Sequence, residues 1–184
     1  KGTACEVVPL IKMRRVRTAE AGQLPGVLSR IREYDWVLFT SKEAVGVFFG
    51  TADACGMDAR GFAGIRFGVI GKGTAAALRE YGIRADFMPE RADAEGFGEE
   101  FAEKYARARV LIPRAAQGNP VLGELLARAG CQVHEIPVYD VKGEACAGFS
   151  ELSGLSEFAF FSTSGVRAFL EETAKAGKRI PAGS

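Results

Sequence analysis

The feature that most constrains the fold of this chain is a regular alternation of short apolar runs with amphipathic stretches. Runs rich in β-branched and aromatic residues are predicted to be strands: Val7–Ile11, Trp36–Thr40, Arg66–Ile70, Arg109–Ile112, Val133–Val138 and Phe158–Phe161. Stretches with apolar residues three or four positions apart are predicted to be helices: Ala44–Phe49, Thr74–Tyr81, Gly96–Ala106, Pro120–Ala129 and Gly165–Ala176. Such alternation with short connections favours an α/β fold, in which helices cover both faces of doubly wound parallel sheets.

An internal repeat indicates that the chain contains two related units. Residues 39–45 can be superposed on residues 160–166, and each copy has an apolar strand, a hydroxyl-rich turn and the start of a helix. Residues 5–7 match residues 131–133 in the same way. The first copy continues into a second strand, turn and helix around residues 69–74, for which the second copy has no counterpart.

We therefore predict two similar flavodoxin-like domains, of which one is incomplete. Residues 12–140 form the complete domain, and residues 1–11 with 141–184 form parts of the other, whose first and last elements are expected to be missing. A two-stranded connector near Lys12–Val16 and Asp140–Gly143 would join them.

The composition excludes several classes of protein. Lys and Arg total 24 against 23 Asp and Glu, so the net charge of +1 gives no long-range attraction for nucleic acid. The four cysteines are far apart, without a C-x-x-C pair, and His134 is the sole histidine, which argues against a zinc site. Apolar runs are too short to span a bilayer and residues 1–15 do not resemble a signal peptide, so we expect a cytoplasmic protein without a membrane partner.

Three turns follow predicted strands and precede predicted helices, which is where α/β proteins bind anions. They are Thr40-Ser41-Lys42, Gly71-Lys72-Gly73-Thr74 and Ser162-Thr163-Ser164-Gly165. Their hydroxyls and glycines would let an anionic ligand approach backbone N–H groups. The alternative is that each Ser or Thr only caps a helix, as every helix requires.

Two further residues are candidates for the same edge of the sheet. Arg114 would follow the strand that begins at Arg109, where its guanidinium could hold a carboxylate with two hydrogen bonds or simply lie in solvent. Tyr139 ends the strand Val133–Val138, where its hydroxyl could donate a proton to a leaving group or the ring could merely cover an interface.

Motifs for other chemistries are absent from the sequence. Gly71-Lys72-Gly73-Thr74 matches neither the G-x-x-x-x-G-K-[ST] nor the G-x-G-x-x-G pattern, so ATP and NAD are not expected ligands. His134 lies within a predicted strand with no recognisable nucleophile partner, which argues against a triad hydrolase.

Six segments follow one another in a characteristic order and spacing: residues 35–41 (DWVLFTS), 69–75 (VIGKGTA), 81–89 (YGIRADFMP), 110–114 (VLIPR), 138–139 (VY) and 160–165 (FFSTSG). In this succession the chain resembles the uroporphyrinogen-III synthase family. The resemblance implies two α/β domains on a two-stranded connector and a lyase that uses no metal or organic cofactor. The implied reaction removes the terminal hydroxyl of hydroxymethylbilane as water, inverts the last pyrrole ring through a spirocyclic intermediate and closes uroporphyrinogen III.

The resemblance also suggests roles for individual residues. Tyr139 matches the tyrosine proposed to assist loss of water, and the cleft turns that would bind the substrate contain Thr40, Ser41, Gly71, Thr74, Ser162 and Ser164. Because spontaneous closure gives the uninverted isomer, the enzyme would act mainly by positioning and electrostatic stabilisation. We expect a monomer with hydroxymethylbilane as its small-molecule partner, and weak or no activity because one domain is expected to be incomplete. The alternative is a non-catalytic two-lobed α/β module that binds a small anion.

Overall fold

A computed structural model describes residues 11–15, 22–143 and 163–175 of the chain. The strands in these ranges are β1 (Ile11–Arg15), β2 (Trp36–Phe39), β3 (Arg66–Val69), β4 (Arg109–Ala115) and β5 (Gln132–Gly143). The α-helices are α1 (Gln23–Leu28), α2 (Lys42–Ala54), α3 (Lys72–Glu80), α4 (Ala94–Tyr105), α5 (Val121–Arg128) and α6 (Thr163–Lys175). Short 3-10 helices occupy Ile31–Glu33 and Ala59–Phe62.

The strands form one sheet in the order β1-β5-β4-β2-β3. The pairs β2–β3, β2–β4 and β4–β5 are all parallel. From β2 the chain moves outward to β3, then crosses back to β4 and continues outward to β5, so the sheet grows in both directions. The predicted α/β fold with a parallel sheet is therefore confirmed.

Both faces of β2 are buried, which explains why its sequence is uniformly apolar rather than alternating. On one face Trp36 and Leu38 pack with residues of α4 and α5 in a core that includes Phe97, Phe101, Leu122 and Leu126. On the other face the Phe39 ring lies 5.4 Å from the Phe48 ring of α2. Helices thus cover the sheet on both sides.

The ends of the helices follow from local chemistry. The Ser41 hydroxyl caps α2 by accepting a hydrogen bond from the Ala44 N–H, and the Asp93 carboxylate caps α4 through the Gly96 N–H. After α3 and α5 the chain turns through Gly82 (φ +75°) and Gly130 (φ +87°), in the left-handed region that favours glycine.

Backbone contacts divide the chain into Arg15–Asp140 and a second unit, Lys1–Arg14 with Val141–Ser184. The first unit contains β2 to β4, most of β5 and helices α1 to α5, and the second contains α6. The segments predicted as connectors are extended at residues 12–15 and 140–143. The predicted strand Phe158–Phe161 and all of Val7–Ile11 except Ile11 lie outside the described residues, and the assignment of a complete and an incomplete domain stays a prediction.

An ion pair at the amino ends of β2 and β4 gives a testable pH dependence. The Asp35 carboxylate accepts hydrogen bonds from the Arg109 backbone N–H at 2.8 Å and from Arg109 Nη2 at 3.0 Å. These bonds hold the pKa of Asp35 below its ordinary value, despite an opposing effect of partial burial. A carboxyl group whose pKa is lowered by folding stabilises the fold above its unfolded-state pKa of about 3.9, and this contribution disappears as the pH falls through the lower, folded-state pKa.

We expect Asp35→Asn to lower the free energy of unfolding by about 0.5–1 kcal/mol at pH 7, since both side chains are more than one-third exposed and water screens the pair. The difference from the native chain should shrink below about pH 4, as the native carboxylate becomes protonated. Urea unfolding at pH 7, 5 and 3 measures this, with Asp53→Asn on the exposed side of α2 as the control. A difference that stays constant across these pH values would contradict the prediction.

Candidate functional site

Most of the predicted site residues lie at the carboxyl edge of the sheet. Thr40 and Ser41 follow β2, Gly71 and Thr74 follow β3, Arg114 lies near the end of β4, and Tyr139 lies in β5 opposite Ala115. Because these strands are parallel, their carboxyl ends point to the same edge. Ser162 lies outside the described residues, and at Ser164 the structure describes only the helix backbone.

Tyr139 and Ser41 are in direct contact, although they are 98 positions apart in the sequence. The Tyr139 hydroxyl donates a hydrogen bond to Ser41 Oγ at 3.0 Å, and the Tyr139 side chain is only 7% exposed. Ser41 Oγ also accepts the Ala44 N–H at 3.1 Å. A serine hydroxyl can accept two hydrogen bonds and donate one, so the Ser41 hydrogen is the one left to donate to a ligand.

The surroundings of Tyr139 keep its hydroxyl protonated. Burial raises the pKa of Tyr139 above its ordinary value of 10.0, the hydrogen bond with Ser41 lowers it by a smaller amount, and the Glu43 carboxylate raises it further. The ring is therefore a neutral phenol at physiological pH. A group in this state can donate a proton but cannot act as a base.

The start of α3 offers backbone donors instead of side chains. Its N-cap residue is Gly71, and no side chain caps the helix there. A methyl group added at Gly73 would meet no atom within 4 Å, so the backbone of the first turn can be approached closely. Uncapped N–H groups and the positive end of the helix dipole favour an anion at this position. Thr74, in the same turn, is buried.

The Arg114 side chain is bound to protein groups. Arg114 Nη1 donates hydrogen bonds to the carbonyl oxygens of Ala115 and Gly118, each at 3.1 Å. Arg114 Nε lies 3.1 Å from Glu135 Oε2, and this ion pair is mostly buried. The guanidinium thus holds the turn that follows β4, and its predicted role as a carboxylate ligand remains a prediction.

Glu135, whose carboxylate pairs with Arg114 beside this turn, was not among the predicted site residues. The one available signal was a carboxylate inside an otherwise largely apolar strand. The hydrogen bond of 2.5 Å between the Tyr34 hydroxyl and His134 Nδ1 was likewise not predicted. These two residues line a depression of about 500 Å³ at the amino edge of the sheet, away from the predicted site.

The described residues contain neither a membrane-spanning helix nor a cluster of metal-binding side chains. No helix there has the length and apolarity needed to cross a membrane. Within the residues that the structure describes, no group of three or more His, Cys, Asp or Glu side chains is arranged so that it could hold a metal ion. Cys131 is buried, and its Sγ lies 3.6 Å from the Tyr105 carbonyl oxygen.

Comparison with protein families gives a match over nearly the whole chain. The family model for uroporphyrinogen-III synthase HemD matches residues 1–182. The porphyrin biosynthesis protein HemD of Ruminiclostridium josui is 32% identical over 136 residues, which are 73% of this chain and 25% of that protein. The uroporphyrinogen-III synthase of Synechococcus elongatus is 27% identical over 120 residues, which are 64% of this chain and 44% of that protein.

Solved structures show the same fold. A crystal structure of a mutant uroporphyrinogen III synthase from Thermus thermophilus is similar with a TM-score of 0.66, covering 92% of this chain and 68% of that one at 19% identity. At this identity the likeness concerns the fold alone. The present chain spans less than half the length of either curated relative named above.

Proposed function

Because this chain belongs to the uroporphyrinogen-III synthase family, we propose that it converts hydroxymethylbilane to uroporphyrinogen III. The proposed reaction is loss of the terminal hydroxyl as water, inversion of the last pyrrole ring through a spirocyclic intermediate and closure of the macrocycle. In this proposal the enzyme is a cyclising hydro-lyase that uses no metal or organic cofactor.

The contact between Tyr139 and Ser41 is the observation that carries this proposal. It joins two residues that the sequence analysis had assigned to one site on separate grounds, at the edge where open parallel sheets bind ligands. Loss of a hydroxyl as water needs a proton donor, and Tyr139 is a neutral phenol at working pH. We assign it the role of assisting the departure of water, directly or through the Ser41 hydroxyl.

The remaining proposed residues would bind and orient the substrate. Hydroxymethylbilane has eight carboxylates, and donors at the starts of α2 and α3 are suited to such a ligand. We assign Thr40 and Ser41 to the first of these positions, and Gly71 and Thr74 to the second. Ser162 and Ser164 are proposed as the corresponding donors of the other unit. Fixed donors would hold the linear chain in a shape that favours the inverting closure.

The isomer of the product tests the proposal. Incubation of the chain with freshly made hydroxymethylbilane, followed by oxidation and chromatographic separation, should give an excess of isomer III. Because the chain spans less than half the length of the two curated relatives named above, the ratio of isomers under excess protein should be measured as well as turnover. A sample without protein gives the uninverted isomer I by spontaneous closure. Isomer I alone, in the presence and absence of protein, would contradict the proposal and favour a non-catalytic binding module.

A further inference from the structure

The turn that follows β4 is tied to Tyr139 through the backbone. The Ala116 N–H donates a hydrogen bond to the Tyr139 carbonyl oxygen at 2.8 Å. The turn is closed by a second bond, from the Gly118 N–H to the Ala115 carbonyl oxygen at 3.1 Å. A displacement of this turn would therefore be transmitted to the backbone of Tyr139.

The pairing of β4 with β5 is irregular at the same place. Arg114 is opposite Pro137, but the next residue, Ala115, is opposite Tyr139, so Val138 is an extra residue in β5. Such bulges redirect the side chains that follow them and need support because they interrupt the ladder of backbone bonds. Tyr139 therefore has an orientation that regular pairing of the two strands would not provide.

Arg114 provides this support from the other side of the turn. Its Nη1 donates hydrogen bonds to the carbonyl oxygens at the ends of the turn, Ala115 and Gly118, while its Nε lies 3.1 Å from Glu135 Oε2 in an ion pair without hydrogen-bond geometry. A planar guanidinium can hold these three groups at once, whereas the single ammonium of lysine is a point charge on a flexible stem. The Arg114 side chain is 19% exposed and that of Glu135 is 26% exposed, which limits screening by water.

The Glu135 carboxylate lies directly against a glycine of α5. A Cβ atom added at Gly123 would lie 2.6 Å from Glu135 Oε1 and 3.0 Å from its Cδ. Glycine is unfavourable in a helix interior by about 0.5–1 kcal/mol relative to alanine. Its presence at position 123 therefore indicates that a neighbouring group needs the space that a Cβ atom would fill. The carboxylate fills that space and meets Arg114.

We propose that Arg114 and Glu135 are positioning residues for Tyr139. The ion pair fixes the guanidinium, the guanidinium fixes the turn 115–118, and the turn fixes the bulged segment that presents the Tyr139 hydroxyl to Ser41. In this arrangement Arg114 acts through Tyr139 rather than by binding a substrate carboxylate. The kinetic part of this inference rests on the proposed function, whereas the structural part does not.

The structural part can be tested without substrate. In protein labelled with [13Cζ]tyrosine, the resonance of Tyr139 is identified by its absence from Tyr139→Phe. Arg114→Lys should shift this resonance and increase the exchange rate of the Ala116 amide about fivefold, because the hydrogen bond to Tyr139 weakens. Gly123→Ala removes no polar group, and should give the same changes by displacing the Glu135 carboxylate. Arg128→Lys, which alters an exposed pair with Glu124 on α5, is the matched control and should change neither quantity.

The kinetic part is tested by a double-mutant cycle. Arg114→Lys should lower kcat for uroporphyrinogen III formation about tenfold with little change in KM, because the donor is misplaced rather than the substrate released. In a Tyr139→Phe background the same substitution should have no further effect. An equal loss of kcat in both backgrounds, or a rise in KM alone, would overturn the positioning role.

An unchanged Tyr139 resonance and Ala116 exchange rate in both Arg114→Lys and Gly123→Ala would overturn the positioning role even if the chain proves inactive. If the Tyr139 resonance and the Ala116 exchange rate both change but native protein makes no isomer III, the result would count against the proposed function. It would still support the coupling of Arg114 to Tyr139 through the turn 115–118.

Discussion

Replacing Tyr139 with phenylalanine is expected to lower the rate of uroporphyrinogen III formation about 100-fold, at the lower end of the range for loss of a general acid. The substitution retains the buried ring and removes only the hydroxyl that lies 3.0 Å from Ser41 Oγ. Spontaneous closure should then compete more successfully, so isomer I should increase relative to isomer III. Both quantities are obtained by following the two isomers over time after addition of fresh hydroxymethylbilane.

Tyr34→Phe is the matched control for this experiment. It removes a phenolic hydroxyl that is also hydrogen-bonded and partly buried, but at the amino edge of the sheet, next to His134. Each substitution should reduce stability by about 1 kcal/mol through its lost hydrogen bond, so folding effects are comparable. A similar loss of rate in both variants, or none in Tyr139→Phe, would remove Tyr139 from its assigned role.

The largest effect on stability is expected from Phe101→Ala, which should lower the free energy of unfolding by about 3–5 kcal/mol. Phe101 is completely buried in α4, with its ring 5.0 Å from the Trp36 ring and 5.5 Å from the Phe87 ring, both edge to face. Its removal opens a cavity between α4 and the sheet and eliminates these aromatic contacts. Since domains of this size are stable by only about 5–15 kcal/mol, the variant should be close to unfolding at 37 °C.

Urea denaturation followed by Trp36 fluorescence would measure this loss, with an unchanged m value as evidence of the same folded and unfolded states. Met88→Ala is a suitable control, because Met88 is 44% exposed and its truncation should change stability by less than about 0.5 kcal/mol. A loss below about 1.5 kcal/mol for Phe101→Ala would show that the packing of α4 on the sheet is looser than described.

Patterns of apolar residues were sufficient to predict β2, β3 and helices α2 to α5. The two strands are short apolar runs that the sheet buries, and each helix has an apolar face whose period is visible in the sequence. The same reasoning missed α1, where Pro25 and Gly26 interrupt any helical signal. It also ended β4 at Ile112, whereas the strand continues to Ala115. Pro113 lacks the N–H that a strand normally contributes, and tertiary pairing with β5 compensates for this.

The predicted site was recoverable from sequence only at the level of position in the fold. Because ligands bind at the carboxyl edge of parallel sheets, Ser41 and Tyr139 could be assigned to one edge before any contact between them was known. The hydrogen bond between their hydroxyl groups depends on the side-chain direction of Tyr139, which follows from the bulge at Val138. A one-residue irregularity in pairing has no compositional signature. The capture of the Arg114 guanidinium by Glu135 was unpredictable for the same reason, since it requires the register of β4 against β5.

The extra residue in β5 has a consequence for engineering and for natural sequence drift. Deleting the codon for Val138 would remove very little mass, but it would shorten the chain between Pro137 and Tyr139, so Tyr139 could stay opposite Ala115 only by losing the bulge that precedes it. A conservative replacement of Val138 should be tolerated far better than its deletion. At this point of the chain the number of residues matters more than their identity.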